Sequence, residues 1–370
     1  MGVKVLPDVL TWHPQVAVLN ERYAWYVHLV SDYFVQLLRR TRRTEPDLAN
    51  EVSELCRRVS GSGFLSAITA PESAFRILSQ PEDRLVEHAS FMHQALLAER
   101  MREGELAPRW RTLWTALGDT SFIQDGSRSQ THLAGDVPID FGSPHFKKLD
   151  LDGEERDHND GSIRYYEGGE VTDLVDRLNL AMTSIKRCSP YVYCFVTAFT
   201  KVILLGAVPD EAKFMSGSNS GWPGRVMILN GDLPGVTNEV LVDALVHESI
   251  HGLLTIEELH SRWSKNQDLL SMETVASPWS GRVLPLGAYL QACFVWYGLA
   301  NFWLQAIGKG EFDEERALET LKLARRGFEH VRLTALLQAT WRDALEPELL
   351  VVIDEMQERV LAGLPRGAGA

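Results

Sequence analysis

Four cysteines in 370 residues are too few for a disulfide framework, and Cys56, Cys188, Cys194 and Cys293 form no close metal-type pair. No apolar run reaches the roughly 18 residues that a membrane helix needs, so no membrane partner is expected. The opening Met1-Gly2-Val3-Lys4-Val5-Leu6-Pro7-Asp8 has no sustained apolar stretch, so no secretory signal is expected. Leu6 stands where myristoylation asks for Ser or Thr. An excess of positive charge is missing too: 37 Lys and Arg face 50 Asp and Glu, a formal net charge of -13. That balance argues against a nucleic-acid surface and against an anionic membrane. Together these absences point to the reduced cytoplasm. What the chain does have is 45% hydrophobic residues, enough over this length to bury a substantial core and make two closely joined domains.

Three stretches differ in character. Residues 1–118 read as a helical N-terminal domain: 17–40 carries Tyr23, Tyr26, Val30, Phe34, Leu37 and Leu38 at helical spacing, and 81–102 is a second helix. Trp110 and Trp114, four apart, read as a core stripe. Residues 119–170, rich in Gly, Asp, Ser and Pro, read as a loop-rich connector. Asp150, Asp152 and Glu154 lie there but lack the glycine and final glutamate of a calcium loop, and His132, His145 and His158 read as surface histidines. Residues 171–370 read as an α+β catalytic domain, with a helix over 171–186 and a β-rich run over 191–205. A small-residue loop over 214–224 and a strand over 225–229 follow, then helices over 285–307, 311–330 and 347–361.

Val246-His247-Glu248-Ser249-Ile250-His251 is an HExxH sequence. Positions four apart share a helix face, so His247 and His251 can hold one metal ion, with Glu248 beside it as the catalytic proton carrier. Asn238 is placed to cap the helix, and Val240, Leu241, Ala244, Leu245, Ile250, Leu253 and Leu254 give it an apolar surface. The fold class expected is therefore α+β and mostly helical, with a zincin-like metal-binding helix beside a small β-sheet and a helical N-terminal region.

A third ligand is less clear. The metzincin pattern places a glycine where Leu254 stands, so the chain does not turn there. On a continuous helix Glu258 sits about 10 Å along the axis from His251, so Glu257 and Glu258 are expected to be solvated. Glu273 follows His251 at nearly the spacing at which gluzincins supply a glutamate, and would complete two histidines and a carboxylate.

The segments around the motif resemble the HExxH-motif proteins of peptide-natural-product clusters. Matching features are the small-residue loop from Phe214 to Gly224, the strand, the metal helix, the Ser277-Pro278-Trp279 loop, and the run from Pro285 to Trp303. The resemblance implies maturation of a ribosomal precursor peptide and, for the characterised branch, Fe(II) and 2-oxoglutarate with hydroxylation of a side chain. Gln291 stands where that family shows His, so the third ligand is either Gln291 or Glu273. For the oxygenase, Arg282 is the candidate to clamp the distal carboxylate of 2-oxoglutarate, with Ser216 and Ser218 as further donors. The alternatives are a gluzincin-like zinc metallopeptidase using Glu248 as general base, and an inactive peptide-binding protein.

Overall fold

Among the described residues four helices begin at proline: Pro46, Pro71, Pro190 and Pro347. A proline at the first helical position has its φ already set and no N–H to leave unpaired. The computed structural model describes residues 3–105, 112–123, 128–129, 131–140, 142–145, 163–166, 169–208 and 213–363.

In chain order come α1 (Leu6–Val9), α2 (Val16–Thr44), α3 (Pro46–Arg58), α4 (Gly61–Thr69), α5 (Pro71–Ser79) and α6 (Leu85–Arg102). Four short strands follow: β1 (Thr112–Trp114), β2 (Ser121–Ile123), β3 (His132–Ala134) and β4 (Val137–Asp140). Next are α7 (Gly169–Cys188), α8 (Pro190–Phe199), β5 (Val202–Gly206), β6 (Met215–Ser218) and β7 (Arg225–Leu229). The chain continues with α9 (Asn238–His260), α10 (Gln267–Met272), β8 (Thr274–Ala276), β9 (Val283–Pro285) and α11 (Leu286–Ala306). It closes with α12 (Glu314–His330), α13 (Ala339–Ala344) and α14 (Pro347–Leu361). The protein is thus mostly helical α+β, 64% helix with a small mixed sheet and a helical N-terminal region. Among the described residues no helix is long and apolar enough to cross a membrane.

Two compact units divide the chain: Met1–Arg22 with Leu180–Val196 and Thr237–Ala370, and Tyr23–Asn179 with Thr197–Val236. They do not follow the three consecutive stretches that composition suggests, because α1 packs on α11 and joins the C-terminal helices.

The second unit holds a five-stranded sheet in the order β3-β4-β5-β7-β6. β4, β5 and β7 are parallel, with Ile203 opposite both Ile139 and Val226, while β3 and β6 run antiparallel at the edges. β5 and β7 are buried along their whole length, the continuous apolar run of covered parallel strands. A buried carboxylate ties α5 to this sheet. Glu72 accepts from Arg225 Nη2 at 2.8 Å, Trp222 Nε1 at 3.0 Å and Arg76 Nη2 at 2.8 Å. Burial pushes the Glu72 carboxyl up, but Arg225 and Arg76 outweigh it and hold the group below its ordinary range.

Several expectations change here. Residues 190–199 form α8 rather than the start of a strand. Val192 N donates to Ser189 Oγ at 3.3 Å as a helix start, and burial of Tyr191, Val192, Phe195 and Val196 outweighs their β preference. The expected loop at 214–224 contains edge strand β6, held by pairing with β7 despite its small residues. The stretch 119–170 supplies β2, β3 and β4, with a tight turn at Gly135-Asp136 between the last two. Trp114 lies on β1, not on a helix. His145 is half-buried, bonded through Nε2 to the Thr115 carbonyl at 3.0 Å, and burial pushes its pKa down to about 4. Trp110, Asp150, Asp152, Glu154 and His158 lie outside the described residues.

Candidate metal centre

The first unit is organised around α9. Its buried Leu241, Val242, Leu245, Val246, Leu253 and Leu254 make it a core helix, apolar on most of its surface. Thr237, in extended conformation, precedes it; Asn238 is the first helical residue and donates through Nδ2 to Ser184 Oγ at 3.0 Å, rather than capping. Along one line of the helix Asp243, His247, His251 and Glu258 succeed each other at helical spacing.

α11 runs past α9 in the opposite sense. Trp303 Nε1 donates to Asp243 Oδ1 at 2.7 Å, a Cβ on Gly298 would stand 2.6 Å from Ile250 Cδ1, and Gln291 reaches His251 and Glu258. A side chain at Gly298 would require the Ile250 terminal methyl to move. Farther along α11 the amide of Gln291 lies beside His251.

One ligand atom from each of His247, Glu248 and His251 lies within 4.8 Å of the other two, and this is the only such group among the described residues. The imidazole centroids of His247 and His251 are 5.0 Å apart. Burial pushes the His247 pKa down to about 4, so its ring is neutral near pH 7 and keeps a lone pair for a cation. Glu248 is 3% exposed. Burial raises Asp243 to about 6, against the Trp303 hydrogen bond. The two imidazoles are nitrogen donors that suit zinc and ferrous iron alike.

The candidate third ligands do not join this group. Gln291 Oε1 is 2.6 Å from His251 Nδ1, and its Nε2 donates to Glu258 Oε1 at 2.8 Å. Both ends of the amide are thereby engaged with protein atoms. Glu273, half-buried at the C-terminal end of α10, is not part of the group. Arg282 is exposed in the turn between β8 and β9. Ser216 and Ser218 belong to the other unit, on β6. Glu257 and Glu258 are not solvated. Glu257 pairs with Arg22 Nε at 2.8 Å, both nearly fully buried, and burial raises Glu258 to about 7.

An aromatic wall stands beside His247. Trp296 meets its ring edge-on at 5.9 Å and stacks on Trp279 at 6.0 Å. The Trp279 indole N–H donates to the Ala324 carbonyl at 2.9 Å, and its ring lies so close to Gly327 that a Cβ there would stand 2.3 Å away. We therefore expect Gly327→Ala to displace Trp279 and destabilise the protein by about 1–3 kcal/mol, the usual range for overpacking. Thermal unfolding followed by tryptophan fluorescence checks this, and an unchanged transition would contradict the contact.

Sequence reasoning did not single out Asp243, whereas Trp296 and Trp303 lie within the run that carries the resemblance. Asp243 was within reach, since it stands one turn before His247 in the same four-residue rhythm. No protein-family model matches this chain, and no curated protein matches it in sequence.

Proposed function

We propose that the chain is a metal-dependent enzyme that modifies a peptide, with the metal held by His247 and His251 and the proton handled by Glu248. The observation that carries this reading is the convergence of those three side chains on one face of a buried helix, with His247 neutral. The reading is zincin-like in its use of an HExxH helix. Support for oxygenase chemistry comes from the sequence segments flanking the motif, which resemble the HExxH proteins of ribosomal-peptide clusters. Ferrous iron held by His247 and His251, with 2-oxoglutarate and dioxygen, would supply the oxidation, one oxygen atom going to succinate as carbon dioxide leaves and the other to a side-chain hydroxyl.

In this reading the protein contributes orientation and proton handling. His247 and His251 present lone pairs from one helix face, Glu248 exchanges a proton with the substrate side, and Trp296 walls off His247. A net charge of -13 suits a peptide better than a polyanion. Arg282, exposed in the turn between β8 and β9, is the candidate donor to the distal carboxylate of 2-oxoglutarate in this reading.

A zinc peptidase is the second reading, and the burial of Glu248 beside both histidines favours it: a carboxylate so placed takes the proton of an attacking water. Incubating anaerobically purified, iron-loaded protein with 2-oxoglutarate, air and a mixed peptide library separates the two. Succinate, with peptides heavier by one oxygen atom, is the expected result. Peptide cleavage by the zinc-loaded protein without succinate would establish the peptidase, and retention of peptides without either product would overturn the enzyme reading.

A further inference from the structure

We infer that Glu258, acting through Gln291, fixes the tautomer of His251 and is a positioning residue of the metal centre. This rests on the reading of His251 as a ligand. Three side chains form a continuous line of hydrogen bonds: His251 Nδ1 to Gln291 Oε1 at 2.6 Å, and Gln291 Nε2 to Glu258 Oε1 at 2.8 Å. His251 and Glu258 are on α9, and Gln291 comes from α11.

The direction of this line follows from what each group can do. An amide presents oxygen on one side and N–H on the other, and alone it is indifferent to which way it faces. An ionised carboxylate only accepts. The Nε2 end of Gln291 faces Glu258 at 2.8 Å, and with the carboxylate ionised the reversed amide would set oxygen against oxygen. The Oε1 end is then left facing His251, where it accepts a proton carried on Nδ1. A neutral imidazole has one N–H, so a proton on Nδ1 leaves the lone pair on Nε2 for a cation. Glu257, the other acid on this turn, is engaged with Arg22 and does not compete for the amide.

This arrangement is a histidine held from behind by an acceptor, here with a neutral amide placed between ring and carboxylate. The amide passes on the orientation without placing a full negative charge against the ring. The separation of Glu258 from His251 along the helix, which excludes it as a ligand, is the length that one glutamine spans.

The test reads the tautomer directly. Long-range proton–nitrogen correlation spectra of the metal-free protein, labelled at histidine nitrogen, are recorded at about pH 8, above the value near 7 to which burial raises Glu258. His251 is assigned by its loss in His251→Ala. We expect its proton on Nδ1 in the wild type, and a shifted tautomer balance in Glu258→Leu. Zinc affinity, measured by chelator competition, should fall about 10- to 100-fold in that variant, the range for loss of an outer partner. The E258Q/Q291E double exchange places the carboxylate directly on the ring with an amide behind it, so it should restore both the tautomer and the affinity. A wild-type proton on Nε2, or a folded Glu258→Leu protein with unchanged tautomer and zinc affinity, overturns the inference. If the Glu258→Leu protein does not fold, failure of the double exchange to keep the Nδ1 proton also overturns it. A wild type that binds no zinc, yet shows the Glu258-dependent tautomer, supports the relay and instead refutes the metal reading.

Discussion

His247→Ala and His251→Ala should each weaken zinc binding by more than about a hundredfold, beyond the 10- to 100-fold that loss of an outer partner gives. Each substitution removes one of two nitrogens converging on a common point, and no other His, Cys, Asp or Glu among the described residues joins Glu248 in the group to replace it. His330, exposed at the end of α12, provides the control: His330→Ala should bind zinc as the wild type does. The same contrast should appear in stability, because a ligand that binds only the folded state stabilises it by an amount that grows with the logarithm of its concentration relative to Kd. Saturating zinc should stabilise the wild type and His330→Ala, and leave the other two variants unshifted. Equal zinc responses in all four proteins would exclude the pair as the site.

The largest stability effect is expected at Arg22. Its guanidinium is the cation paired with Glu257, whose side chain is 1% exposed, and it also contacts His260 Nε2 at 2.9 Å. Replacing it with methionine leaves a carboxylate buried without its counter-ion, a loss of about 3–5 kcal/mol where that carboxylate is ionised. The effect carries a pH signature. Burial raises Glu257 from its ordinary 4.5 to about 7, with Arg22 acting in the opposite direction. A raised folded-state pKa means that the native protein holds this proton more tightly than the unfolded chain. Its contribution to stability is therefore full at low pH and is lost as pH rises through about 7. Removing Arg22 raises the folded value further. The difference between wild type and Arg22→Met should thus be small near pH 5 and large near pH 8, measured by denaturant unfolding at both. A pH-independent difference would show that Arg22 acts only through packing.

What could be read from the sequence follows from how far apart the cooperating residues stand. The spacing of His247 and His251 is a local property of one helix, so their convergence needs no knowledge of the fold. β7 was equally legible, because Arg225–Leu229 is a short run of buried β-formers bounded by turn residues. Tyr191–Phe199 has similar composition but is helical, since aromatic and β-branched residues buried on several sides show no period. β6 was hidden for the opposite reason: Met215-Ser216-Gly217-Ser218 has little strand preference of its own and is held by its neighbour. Glu257 and Glu258 looked solvated because their partners are far away in sequence. Arg22 lies 235 positions earlier and Gln291 lies 33 later, so neither pairing leaves a local trace. The role of Gln291 was obscured in the same way. As a residue type it suggested a weak ligand, and its two hydrogen bonds to His251 and Glu258 appear only in the fold.

The central claim is that His247 and His251 hold one metal ion, and X-ray absorption at the zinc edge of the zinc-loaded protein tests it most directly. The account predicts two imidazole nitrogens at about 2.0–2.1 Å, with their outer-ring scattering reduced to one imidazole in either single alanine variant. A spectrum without imidazole scattering, or one unchanged in His247→Ala and His251→Ala, would contradict it.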